Sequence, residues 1–137
     1  MKKSVSIPLF AAIIVALTFT ACKKYPDGPM LSFRSKTDRL CNTWQVQSAT
    51  YNGADSTTLY TSLNYTIQFN KDNSVVESVL GSSYSGGTWA FDSKKENILL
   101  TESGTVSTLE ILKLEKSALW LQETDNGYTE VLHLIPY

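Results

Sequence analysis

From Trp44 onward no stretch of the chain sustains a helical period with caps. Short runs rich in Val, Ile, Thr, Tyr, Phe and Trp alternate with clusters of Gly, Asn, Asp and Ser, which is the spacing of an all-β sandwich or barrel. Eight runs can be read, over 44–51, 65–70, 75–80, 88–91, 98–101, 106–114, 119–123 and 128–135. Asn52-Gly53 closes the first, and Lys71-Asp72-Asn73 turns the second into the third. GSSYSGG (81–87) reads as the loop before the fourth. Asp125-Asn126-Gly127 joins the last two, and Asn-Gly is the strongest short-range hairpin signal. Every connection but 52–64 is short, so consecutive strands should be antiparallel neighbours. The exception is a polar stretch that reads as a long loop folding over an opening. A meander of eight strands either closes or leaves bare edges, and the pattern leaves barrel and flattened sandwich both open. Closure at eight strands gives an interior wide enough for side chains or for one small ligand.

The first 21 residues have a different character. Lys2 and Lys3 precede an apolar run of eleven residues, 7–17, inside the roughly 7–15 of a signal-peptide core and short of the ~20 needed to span a bilayer. Small Ala21 stands before the expected cleavage point. Removing 21 of the 137 residues leaves 116, with ten of the twelve Lys and Arg beside all thirteen Asp and Glu, a formal charge of −3. That is one domain. No basic stripe points to nucleic acid. The next residues, 23–36, hold two prolines, a glycine and no periodicity, and read as a tether. Thr37 is the expected cap of a short helical turn through Asp38, Arg39 and Leu40.

Phe19-Thr20-Ala21-Cys22 resembles the lipobox of bacterial lipoproteins, whose cysteine is acylated; this implies that Cys22 is the lipid attachment site and the membrane anchor. Cys41 is then an unpaired thiol, read as a small buried hydrophobe. The resemblance extends over nearly the whole mature chain. Cys22, KKYPDGP, SFRSKTDRLCNTW, FNKDNSV, GGTWAFD and LWLQE, in that order, make the chain similar to the small lipocalin-like lipoproteins of the Bacteroidota. Asn42-Thr43-Trp44 stands where lipocalin-like chains carry Gly-x-Trp. The resemblance implies an eight-stranded antiparallel lipocalin-like barrel over 41–137, behind an anchor and tether over 22–40, and no catalytic residues. Lys23 and Lys24 lack the Asp that marks inner-membrane retention in some bacteria, and no acidic run follows. The expected location is the outer membrane, on its periplasmic face, with the cell surface as the alternative.

Catalysis finds little support. The one histidine, His133, alternates with Val131 and Ile135 and reads as structural, and a metal site needs more His or Cys ligands than the chain holds. Gly81-Ser82-Ser83-Tyr84-Ser85 misses the nucleophile-elbow pattern at its fifth residue. The carboxylates read as turn and strand-exterior groups in solvent. The aromatics Trp44, Tyr51, Tyr65, Phe69, Tyr84, Trp89, Phe91, Trp120 and Tyr128 either fill a close-packed interior or line a pocket, with Trp44, Tyr65, Trp89 and Trp120 as the expected border of a cavity at one end. Strand 106–114 has apolar residues on both faces, which suggests a cover supplied by Met30, Leu31, Phe33 and Leu40, or a docking surface. The expected function is a non-enzymatic, membrane-anchored binding protein for a small hydrophobic ligand, without cofactor. The alternative is a structural lipoprotein with a filled barrel and a protein or glycan partner on its surface.

Overall fold

The structure is a computed structural model and describes residues 33–137; the signal segment, Cys22, Met30 and Leu31 lie outside the described residues. In chain order the elements are α1 (Lys36–Leu40), β1 (Thr43–Tyr51), β2 (Ala54–Asp55), α2 (Thr57–Thr61), β3 (Thr66–Phe69), β4 (Ser74–Val79), β5 (Ser82–Phe91), β6 (Asn97–Glu102), β7 (Thr105–Leu114), β8 (Leu119–Asp125) and β9 (Tyr128–Pro136). The last strand pairs with the first, from Trp44 opposite Pro136 to Tyr51 opposite Glu130. That ladder decides the question the sequence left open: β1 and β3 to β9 form a closed, eight-stranded antiparallel up-and-down barrel. The stretch 52–64 is not a plain loop, since it contains β2 and the single-turn helix α2.

Three irregularities shape the wall. The register shifts at Gln47 in β1, at Gly86-Gly87 in β5 and at Leu112 in β7. A bulge bends a strand and reverses which face its later residues take. This explains the two-faced strand: Ile111 lies opposite Leu121, the extra residue Leu112 follows, and Leu114 returns to the interior opposite Leu119. Leu112 and Leu114 therefore need no cover from the tether. Leu40, expected to pack on that outer face, is instead buried in the barrel core, and Phe33 is exposed. The glycine- and serine-rich stretch 81–87 is likewise strand rather than loop, with only Leu80-Gly81 forming the turn. Gly87 has φ +84°, and a Cβ there would lie 1.9 Å from the Thr101 carbonyl oxygen, so the close approach of β6 requires glycine.

The two ends of the barrel are built differently. At one end α1 crosses the opening. Its N-cap is Ser35, not Thr37: the Ser35 hydroxyl accepts from the Asp38 N–H at 3.0 Å. Three bonds tie α1 to three separate connections of the barrel. Lys71 pairs with Asp38 at 2.8 Å, Lys36 Nζ donates to the Lys95 carbonyl at 2.8 Å, and Arg39 donates to the Leu114 carbonyl at 3.2 Å. Beneath the helix Leu40, Trp44, Phe69, Ile98, Leu114 and Leu119 are fully buried. Trp44 Nε1 donates to the Leu40 carbonyl at 2.9 Å, so the largest side chain of this plug has its one polar atom satisfied. Among the described residues the opposite end has no such cover. Its connections are two-residue turns, Asn52-Gly53, Leu80-Gly81, Ser103-Gly104 and Asn126-Gly127, each with positive φ at both positions, as type I′ hairpins need.

Candidate functional site

Inside the open end lies a cavity of about 130 Å³. Ile67, Leu100, Leu109, Leu121, Leu132 and Leu134 form its apolar wall. These are the residues that the period-two alternation of β3, β6, β7, β8 and β9 turns inward. The same alternation turns three carboxylates inward near the mouth: Glu77 shares a face with Val75, Glu123 with Leu119 and Leu121, and Glu130 with Leu132 and Leu134. The sequence reading placed the carboxylates on turns and strand exteriors; for these three the structure corrects it. Glu123 and Glu130 stand directly opposite one another in the β8–β9 ladder. Like charges so placed destabilise a sheet, by a few tenths of a kcal/mol up to about 1 kcal/mol.

Two tyrosines complete the cavity. β1 pairs with β3 at only three positions, Thr43 to Gln45. Beyond them β1 bonds to the start of α2 instead: the Ala49 carbonyl accepts from the Ser56 N–H at 2.9 Å, and the Ala49 N–H donates to Thr57 Oγ1 at 3.0 Å. Helix α2 so fills the seam between β1 and β3 and delivers Tyr60 to the interior, where its hydroxyl donates to Glu130 Oε1. Tyr65 meets Tyr60 edge to face, with centroids 5.5 Å apart. Burial, then the hydrogen bond to Glu130, holds the Tyr60 hydroxyl protonated well beyond the usual tyrosine range. Burial and the charge of Glu77 do the same for Tyr65.

Two further hollows adjoin this one. At the mouth, about 160 Å³ is bounded by Tyr51, Glu123, Asp125, Tyr128 and Glu130, and the rings of Tyr51 and Tyr128 stack at 5.7 Å. It shares Glu123 and Glu130 with the cavity, so the two adjoin at these side chains. On the flank, a broader cleft of about 790 Å³ runs along the seam beside α2, and Tyr60 and Tyr65 partition it from the interior. Its lining includes neutral groups such as Gln45, Asn64, Thr66, Ser78 and Tyr137. The smaller interior cavity is the better ligand site, because enclosure by apolar walls with a few convergent polar groups is what retains a small molecule. No Lys or Arg among the described residues lines the cavity or its mouth. Among the described residues no group of three or more His, Cys, Asp or Glu is arranged to hold a metal ion.

The structure does not bring together the four aromatic residues expected to border one cavity. Tyr65 lines it. Trp44 and Trp89 belong to the opposite end, where Trp89 packs edge to face with Phe69 and Phe91 and donates to the Asn70 carbonyl at 2.8 Å. Trp120 is on the outside of the barrel, its ring stacked on His133 at 4.1 Å with the Lys113 ammonium 4.7 Å from the ring centroid. His133 lies on the outer face of β9, away from the carboxylates. Cys41 is half-buried against the core, and burial pushes its thiol up. The residues that sequence reasoning missed are Tyr60, Glu77, Glu123 and Glu130. Strand parity counted from the buried leucines would have found the three carboxylates. Tyr60 carried no signal, because it depends on how 52–64 folds into the seam. No family model, no curated protein and no solved structure matches this chain at a significant level.

Proposed function

We propose that the chain is a non-enzymatic, membrane-tethered binding protein of lipocalin-like fold, akin to the small lipoproteins of the Bacteroidota, which holds one small ligand in the open end of its barrel. The observation that carries this reading is the apolar cavity of about 130 Å³ at the end of the barrel opposite α1. Its size is close to the roughly 150 Å³ apolar cavity that takes up benzene. It is smaller than the roughly 300–1,000 Å³ pockets of drug-sized ligands, so the buried part of the ligand is a single ring or a short chain. The mouth hollow of about 160 Å³ accommodates the rest. Acylation at Cys22 would secure the protein to the outer membrane, on the periplasmic face. The described chain begins at the plugged end, where α1 crosses the barrel.

A second reading has its own support: the flanking cleft offers amide and hydroxyl groups beside tyrosines, chemistry that hydrogen-bonds a glycan. Native mass spectrometry separates the two. The full chain carrying Cys22→Ser, so that no acyl chain competes for the cavity, is exposed to a native lipid and small-molecule extract. Retention of one small molecule per chain is expected. A bare protein mass in every extract overturns the barrel site, and glycan binding lost in Asn64→Ala would then establish the cleft. The anchor has a separate test, since Cys22→Ser should abolish acyl labelling and release the protein from membranes.

A further inference from the structure

We infer that the ligand of the barrel cavity is a small organic cation, an ammonium group on an apolar body. This rests on the barrel being the ligand site and adds the charge of what it takes. The enclosed walls are hydrocarbon, so the body of the ligand is apolar. Above them the polar groups are tyrosine hydroxyls and carboxylates, and every charged one is acidic. Glu77, Glu123, Glu130 and, at the mouth, Asp125 supply four carboxylates, and among the described residues no basic side chain lines either hollow to neutralise them. The ion pairs Lys71–Asp38 and Lys113–Glu115 involve none of the four.

The aromatic groups point to the same ligand. Tyr51 and Tyr128 form a stacked pair at the mouth, and Tyr60 and Tyr65 stand below. Ring faces beside carboxylates are the combination that recognises ammonium groups, through the ring quadrupole together with charge. Tyr60 donates to Glu130 Oε1, which fixes that carboxylate while leaving its other oxygen for a ligand. Other ligand charges fit worse. A fatty carboxylate would bring a further negative charge among Glu77, Glu123 and Glu130. A neutral hydrocarbon would fill the wall and leave the opposed Glu123 and Glu130 uncompensated. An ammonium placed between them would offset the repulsion of two like charges directly opposite across the β8–β9 ladder.

Three probes of one chain length test the inference by isothermal titration against the full chain carrying Cys22→Ser at neutral pH: hexylammonium, 1-hexanol and hexanoate. Hexylammonium should bind at least tenfold more tightly than hexanol, and hexanoate most weakly. Glu123→Gln and Glu130→Gln should each weaken hexylammonium at least fivefold and hexanol by less. Both substitutions are nearly isosteric, and melting curves confirm that the variants are folded. Hexanol or hexanoate binding as tightly as hexylammonium would overturn the cation inference while leaving the barrel as the ligand site. Recovery of a neutral or anionic small molecule from the native extract would do the same. Failure of all three probes, together with a bare mass from every extract, overturns both readings.

Discussion

The two ends of this barrel use the same strands for opposite purposes. At the end under α1 the inward positions hold Trp44, Phe69, Trp89, Ile98, Leu114 and Leu119, all buried, and the indole N–H groups of Trp44 and Trp89 are both bonded to backbone carbonyls. At the other end the inward positions carry Glu77, Glu123 and Glu130, two of them directly opposed, around a space that side chains do not fill. A chain with roughly one hundred residues in its barrel has little stability to spare, and it concentrates that stability at one end. Burial of the plug tolerates like charges and a hollow at the mouth. Such division is the expected mark of a site, because binding groups are placed where they serve a ligand and not the fold.

The largest expected effect tests the plugged end. Trp44→Ala removes a fully buried indole and should cost on the order of 3–5 kcal/mol, measured by urea unfolding. Trp120→Ala, which removes an indole from the outer face, should cost far less. Equal losses would mean that the plug is not where the stability resides. Next in size is a pair of glycines with nearly the same φ. Gly87→Ala combines left-handed strain with a contact of 1.9 Å to the Thr101 carbonyl oxygen in the wall. Gly127→Ala, at φ +83° in the last turn of the open end, meets nothing within 4 Å. The turn variant should lose about 1 kcal/mol from strain alone, and the wall variant roughly 2–3 kcal/mol or more because the β5–β6 ladder must also shift. The difference in melting temperature between them measures the clash.

The sheet was legible because its signals are local. Alternating apolar residues and Asn-Gly turns specify strands and hairpins without knowledge of their partners, and each of the eight barrel strands overlaps the run that pattern marks, though β5 starts earlier, at Ser82. The bulges were not legible. Nothing in TVSTLEILKL marks Leu112 as the extra residue; only the pairing of Lys113 with Trp120 shows it. The stretch 81–87 looked like a loop because Gly and Ser have weak strand preference, yet the partner strand β4 holds it extended. At the site the aromatic residues misled. Large rings fitted a filled interior as well as a lined pocket, and those on the inward face near α1 are the filling; the four expected to border one cavity are dispersed. Carboxylates suggested solvent, but near an open mouth an inward carboxylate still reaches water. Tyr60 was out of reach of the sequence, since the seam that receives it exists only once β1 and β3 part.

The tyrosines give a pH test of the open end. Tyr60 and Tyr65 keep their protons in the fold beyond the ordinary value near 10. When the chain unfolds, both lose them at the ordinary value. The folded state therefore has its full advantage below pH 10 and loses it progressively as the pH rises above 10. Tyr65, the more deeply buried, should contribute the larger share. Urea midpoints of the parent chain should fall between pH 10 and 12, and the Tyr60→Phe/Tyr65→Phe double variant should fall less steeply. Parallel slopes would show that the two hydroxyls are not held by the interior, and that the mouth is wetter than its geometry implies.

The smallest effect is the most discriminating, because its sign is opposite to that of a core mutation. Glu123→Gln keeps the shape of the side chain and removes one of two like charges that face each other across β8 and β9. Most substitutions at inward positions destabilise. This one should raise stability by a few tenths of a kcal/mol, up to about 1 kcal/mol, with the gain shrinking in high salt as screening does the same work. The companion Glu110→Gln removes a carboxylate from the outer face of β7, where it lies within reach of Gln122, and should change stability little. A gain confined to Glu123, shown by a higher urea midpoint at low salt, would mark the opposed pair as a group kept against the interest of the fold. A loss of stability in Glu123→Gln would mean that the pair is satisfied within the barrel itself. The two ends would then differ in packing but not in purpose.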